Sequence, residues 1–213
     1  MIISFILLCL IIILIAIYLC RNRGCIVINH LLIKYIGFAN KINIPNNVYA
    51  IGREAFLGNN RIESVFISSS VVSICDCAFL KCENLKRIEF AGNSELRYIN
   101  HLAFEGCHNL TEITLPPAML GIASQSFFEC TGLEKIILPK SFSFDTIPWG
   151  AFANCINLKE IIIPDNIKYI GVNAFKGSDN LDLSMIPSTA IVAPSPYSTE
   201  TEVENDDEEL RGI

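Results

Sequence analysis

The sequence predicts a repeat solenoid with one short parallel β-strand per 23–25-residue unit, led by an apolar anchor and followed by an acidic tail. Three observations carry this. Phe56, Phe79, Phe104, Phe127, Phe152 and Phe175 recur at spacings of 23, 25, 23, 25 and 23. Each follows a small residue (Ala55, Ala78, Ala103, Ser126, Ala151, Ala174), lies five residues after an isoleucine (Ile51, Ile74, Ile99, Ile122, Ile147, Ile170) and lies six before an aliphatic residue (Ile62, Leu85, Leu110, Leu133, Leu158, Leu181). A short alternating run then follows, as in Val65-Phe66-Ile67, Ile88-Glu89-Phe90, Ile113-Thr114-Leu115, Ile136-Ile137-Leu138 and Ile161-Ile162-Ile163.

Alternation over so few residues suits a strand with one buried face. Proline often ends it, at Pro45, Pro116, Pro139, Pro164 and Pro187, because proline donates nothing to a ladder. Ile42-Asn43-Ile44 repeats the strand motif without a preceding leucine and reads as the opening unit. The stretch 181–187 is a degenerate copy and reads as the closing one. The two-residue excess of the longer units falls at Gly92–Asn93 and at 141–143, as loop insertions. A single unit is too small to bury its apolar side, so the units must stack on one continuous core.

The chain has 213 residues, 51% of them apolar, nine cysteines, a mean hydropathy of +0.43 and a formal charge of −6. Residues 1–20 contain one polar side chain, Ser4, and have the length of a membrane-spanning helix. They lack the basic start and small-residue cleavage site of a secretory signal, so an uncleaved anchor is expected. Residues 200–213 hold seven acids and one base, which leaves 15 acids and 15 bases in the rest. That balance excludes a basic nucleic-acid binder steered by net charge. The expected organisation is an anchor over 1–20, a juxtamembrane segment with an N-terminal cap over 21–40, repeats over 41–187 and a disordered acidic tail over 188–213. Within 29–40 a membrane-surface helix is the alternative to a cap. Arg21, Arg23, Lys34, Lys41 and Arg53 precede the first acid, Glu54, and positive residues favour a cytoplasmic body.

The pattern I-G-x-x-A-F-x-x-C-x-x-L-x-x-I-x-I-P resembles the BspA-like class of leucine-rich repeats. Ile51-Gly52-Arg53-Glu54-Ala55-Phe56, Ala103-Phe104-Glu105-Gly106-Cys107-His108-Asn109-Leu110, Ala151-Phe152-Ala153-Asn154-Cys155-Ile156-Asn157-Leu158 and Ile170-Gly171-Val172-Asn173-Ala174-Phe175 carry it. The resemblance implies a right-handed leucine-rich-repeat-like solenoid. It also implies the habits of that class, cell-surface adhesins or surface antigens that bind proteins, and so a repeat domain outside the cell. The two indications of side stay open against each other.

Cys82, Cys107, Cys130 and Cys155 fall three residues after their Phe anchors and read as small buried core residues. Cys75, Cys77 and Cys82 lack the paired spacing of a zinc site, and no metal or cofactor is expected. Cys20 and Cys25 are candidates for acylation beside the anchor. Asn109-Leu110-Thr111 is a sequon, yet asparagine recurs in that slot at Asn84, Asn157 and Asn180, so it reads as a turn residue.

The sequence shows no HExxH, Walker A, GxSxG or GxGxxG pattern. Neither an enzyme nor a small-molecule substrate is expected. The outward strand positions form columns. Glu63, Lys86, Thr111, Glu134, Lys159 and Asp182 make one; Ser64, Arg87, Glu112, Lys135 and Glu160 make another. Signs alternate in both, so neighbours pair. The third column holds Asn43, Phe66, Glu89, Thr114, Ile137 and Ile162. Phe66, Ile137 and Ile162, with Glu89 and Thr114 between them, are the candidate contacts for a protein partner.

Overall fold

The computed structural model describes residues 24–140, 143, 145–188 and 190–193, and positions 11, 12, 14 and 15. The chain opens with an antiparallel hairpin, β1 (Cys25–Ile28) and β2 (Leu31–Tyr35). Six two-strand units follow: β3 (Lys41–Asn43) with β4 (Ala50–Ile51), β5 (Ser64–Ile67) with β6 (Ser73–Ile74), β7 (Arg87–Phe90) with β8 (Tyr98–Ile99), β9 (Glu112–Thr114) with β10 (Gly121–Ile122), β11 (Lys135–Ile137) with β12 (Thr146–Ile147), and β13 (Glu160–Ile162) with β14 (Tyr169–Gly171). A 3-10 turn (Leu183–Met185) and a last strand, β15 (Ile191–Ala193), finish the described chain.

Strands pair in parallel with their counterparts in the next unit, for example Ser64↔Arg87 and Lys135↔Glu160. One strand per unit was expected, and there are two. The second holds only two or three residues around the isoleucine five before each Phe, too short to show alternation. Its order runs β1-β2-β4-β6-β8-β10, then β12-β14-β15; the first strands make β3-β5-β7 and β9-β11-β13. Each interruption borders one of the two longer units, whose extra loop residues offset successive turns.

Between the two strand faces the chain arches over the anchors. The Phe56, Phe79, Phe104, Phe127 and Phe152 rings are fully buried, each worth roughly 1.5–3 kcal/mol. They stack with Phe175 at centroid separations of 4.7 to 5.6 Å and interplanar angles of 5 to 14°. The strand repeat of about 4.8 Å sets that spacing. Tyr35 adds a seventh ring, 5.3 Å from Phe56.

The arch needs left-handed backbone twice per unit. Glu54, Cys77, Leu102, Gln125, Gly150 and Asn173 have φ of 55 to 58° two residues before the anchor. Gly58, Lys81, Gly106, Glu129, Asn154 and Gly177 have φ of 56 to 73° two residues after it. For a residue with a Cβ this costs about 1–2 kcal/mol, which the surrounding stack holds in place.

The expected cap segment is β-structure, which overturns the membrane-surface helix. Asn29 and His30 form its two-residue turn with φ of 48 and 64°, the conformation that an antiparallel hairpin of natural twist requires. His30 is held by stacking on Tyr49 at 4.4 Å and by Nδ1 donating to the Asn47 carbonyl at 2.9 Å.

Two expectations for the C-terminus are corrected. Residues 183–185 form a 3-10 turn in place of a strand, with Asp182 accepting from the Ser184 amide. Within 188–213, expected to be unstructured, β15 pairs in parallel with β14. The rest of the acidic tail lies outside the described residues. So does the expected anchor over 1–20, apart from Ile11, Ile12, Leu14 and Ile15, which are helical and exposed. Among the described residues no helix is long and apolar enough to cross a membrane.

Candidate functional site

The first strands turn one set of side chains inward and the other outward. Val65, Ile88, Ile113, Ile136 and Ile161 enter the core. The third column faces out, with Phe66 at 37% and Ile162 at 45% exposure and Ile137 half-buried between Thr114 and Ile162. The register places Asn43 beside Phe66, Phe66 beside Glu89, Thr114 beside Ile137 and Ile137 beside Ile162. The five candidates therefore fall in two groups. Phe66 and Glu89 share the sheet β3-β5-β7, and Thr114, Ile137 and Ile162 share β9-β11-β13.

Ion pairs border the column. Lys86 Nζ reaches Glu63 at 3.1 Å, Lys159 reaches Glu134 at 3.2 Å and Lys135 reaches Glu160 at 2.7 Å. The Lys86 hydrogen bond, with a second from Asn40, holds the Glu63 carboxyl below its ordinary value. At the interruption between β7 and β9, Arg87 turns to Glu89 of its own strand at 3.5 Å. The face thus offers paired charges of both signs around half-exposed apolar groups, on a backbone fixed by ladders. It suits contact with a surface of matching shape.

Behind it the cysteine column is structural. Cys82, Cys107, Cys130 and Cys155 are fully buried. Each Sγ donates to the carbonyl of the Phe anchor of the preceding unit (Phe56, Phe79, Phe104, Phe127) at 3.1 to 3.3 Å. Ser178 continues the column, its Oγ donating to the Phe152 carbonyl at 2.8 Å. Burial pushes the Cys82 and Cys155 thiols up to about 12, and those of Cys107 and Cys130 well above their ordinary value. Thiols so protonated are poor nucleophiles and metal ligands. Cys25 is also buried, so acylation at that site is corrected: its sulfur is not accessible. Cys20 lies outside the described residues.

A second ladder runs through the asparagines, where Asn84, Asn109, Asn157 and Asn180 donate to carbonyls of the preceding unit at 2.6 to 2.8 Å. Gly132 takes that slot once, where a Cβ would collide with the His108 carbonyl oxygen. His101 and His108 direct Nδ1 to the carbonyls of Ser124 and Glu129, and no potential metal cluster occurs among the described residues.

Sequence reasoning missed an exposed apolar group at the first turn. Phe38, 81% exposed, stands three residues after Tyr35, the interval that holds cysteine in later units. With Ile36, Leu57 and Arg61 it borders a shallow groove. The signal was a bulky ring at a position whose repeat equivalents are small.

The family model described as BspA type leucine rich repeat region matches in six copies, over residues 34–144 and 91–195. Among solved structures, a leucine-rich repeat protein of T. pallidum is 25% identical at a TM-score of 0.67, over 84% of this chain and 87% of that one. A leucine-rich cell surface protein of Faecalibacterium prausnitzii is 34% identical at a TM-score of 0.56, over 62% of this chain and 34% of that one. The pneumococcal vaccine antigen PcpA, 24% identical with a TM-score of 0.58 over 78% of this chain and 43% of that one, shares the fold. A comparison with curated protein sequences finds no match. The chain thus spans most of the first of these proteins and less than half of the other two.

Proposed function

The chain belongs to the BspA-type leucine-rich repeat family, and from that premise we propose that it is a membrane-anchored module that binds another protein across its first-strand face. The observation that carries this reading is the third column: Phe66, Ile137 and Ile162 project from ladder-fixed strands, outside a core that does not need them. Apolar groups that leave the core and are ringed by polar ones mark interaction surfaces. Glu89 and Thr114, the in-register neighbours, supply hydrogen-bonding groups. The chemistry is recognition by shape and complementary charge, with no catalytic step. Residues 1–20 hold the module at the membrane, and the basic residues that follow favour a cytoplasmic body.

The test replaces Phe66, Ile137 and Ile162 by serine together. All three lie outside the core, so the melting temperature should stay close to that of the parent. Proteins crosslinked to the parent chain in its own cell should be lost from the triple variant. An unchanged crosslinking pattern would reduce the repeats to a spacer.

A second reading, an outward-facing or secreted adhesin, draws on the 34% identity to a protein described as a cell surface protein. Protease added to intact cells carrying an epitope after Ile213 separates the two. Removal of the epitope supports the outward adhesin, whereas survival until permeabilisation supports the cytoplasmic module.

A further inference from the structure

The hairpin carries an apolar outer face that the solenoid does not use. Cys25, Val27, Leu32 and Tyr35 point into the core. Their neighbours point away: Ile28 is 54% exposed, Leu31 38%, Ile33 42%, and just past β2 Ile36 is 47% and Phe38 81%. The register accounts for part of this, because Ile33 is the extra residue opposite the step from Ile26 to Val27, and both it and Lys34 turn outward. Arg61 sits 5.1 Å from the Phe38 ring centroid and brings a cation to the same edge. Single exposed aliphatics are ordinary, but a cluster within residues 28–38 at one end of the stack calls for a partner.

We propose that this face rests on a lipid bilayer at headgroup depth, and so sets the repeat stack with its first unit toward the membrane. The proposal rests on reading residues 1–20 as an anchor and deepens it. Two observations choose lipid over other occupants. Arg21–Gly24 is all that separates Cys20 from β1, and an extended chain covers at most about 3.5 Å per residue, so β1 lies within about 17 Å of the anchor's end. The charged side chains from Arg21 to Arg53, His30 aside, are Arg21, Arg23, Lys34, Lys41 and Arg53, with no carboxylate among them. An apolar face set among cations is what an anionic bilayer surface takes up.

The experiment uses the full chain in vesicles of phosphatidylcholine and phosphatidylserine that carry brominated acyl chains. In a Trp149→Phe background, tryptophan is placed by Ile33→Trp or Phe38→Trp, and at the other end of the stack, on β13, by Ile162→Trp. Circular dichroism checks that each variant folds. Flotation after an alkaline carbonate wash reports the anchor separately. The expected result is that all three float, that the first two lose about half their emission, as side chains about 5–10 Å into the headgroup–acyl boundary would, and that Ile162→Trp keeps its emission. Flotation without quenching at Ile33→Trp and Phe38→Trp would overturn the docking and leave the anchor standing. Loss of flotation would remove both. Blue-shifted, unquenched emission before vesicles are added would assign the face to residues 1–20 folded back on it, which also overturns the proposal.

Discussion

Ser126 occupies the small-residue slot before Phe127, where the other five repeats carry alanine. It is fully buried, and its Oγ is the buried side-chain polar atom without a hydrogen-bond partner among the described residues. An unsatisfied buried hydroxyl costs about 1–3 kcal/mol. Ser126→Ala is therefore expected to stabilise the protein by about 1 kcal/mol, read as a higher urea midpoint at unchanged slope. A lower midpoint would mean that the hydroxyl has a partner in solution. The contrast with Ser178 is instructive, since that buried hydroxyl donates to Phe152 O and accepts from Cys155 N at 3.1 Å. A hydroxyl is tolerated in the cysteine column because a carbonyl of the preceding unit faces it. In the alanine slot nothing does.

At the scale of the element, charge alternation keeps neighbouring strands in register. Lys135 lies in register between Glu112 and Glu160, and its 2.7 Å pair with Glu160 is the shortest of those on the face. Both side chains are 37% exposed, so the pair is partly screened and worth less than about 1 kcal/mol. Lys135→Glu places a third acid in the column and should cost about 1 kcal/mol. The double exchange Lys135→Glu with Glu160→Lys should recover part of that loss, and salt should shrink the difference. No recovery in the double variant would show that the pair does not couple. The alternating signs were legible in the sequence, and so was the pairing of Glu63 with Lys86 and of Glu134 with Lys159. The interruption at β7 and β9 was not, because the ladder depends on how the longer loop offsets two backbones, and no residue type marks it. The hairpin was hidden for a related reason. Its turn is Asn29-His30, without the glycine that usually signals one, and His30 holds a positive φ through contacts with Tyr49 and Asn47, made across the next unit.

Across the whole molecule the four bonds of the cysteine column tie five successive units together and make stability depend on pH in the alkaline range. Thiols with a pKa near 9.0 in the unfolded chain stay protonated in the folded one, up to about 12 at Cys82 and Cys155. Above pH 9 the unfolded state therefore binds fewer protons than the native state. The stability is fully present below 9 and is lost as pH rises toward 12. Urea midpoints in the presence of reductant should hold from pH 7 to pH 8.5 and then fall. Tyr35, also raised by burial, contributes to the same fall, so the comparison is with Cys155→Ser, which keeps a donor for the Phe127 carbonyl. Its midpoint should fall less steeply. Parallel curves would show that the Cys155 thiol does not contribute.

The repeat length, the stack of Phe rings, the inward and outward sides of the first strands and the family could all be read from residue order, because each depends on side-chain volume and polarity recurring at a fixed interval. Tertiary structure alone decided the second strand of each unit, the division of the sheets, the hairpin at the first repeat and the strand after the last. Those features arise from backbone groups finding partners in the next turn of the solenoid, and backbone groups are the same in every residue. The candidate face divides along the same line. Its residues were legible as a column of outward positions, but their separation into Phe66 with Glu89, and Thr114 with Ile137 and Ile162, follows from where the ladder is interrupted.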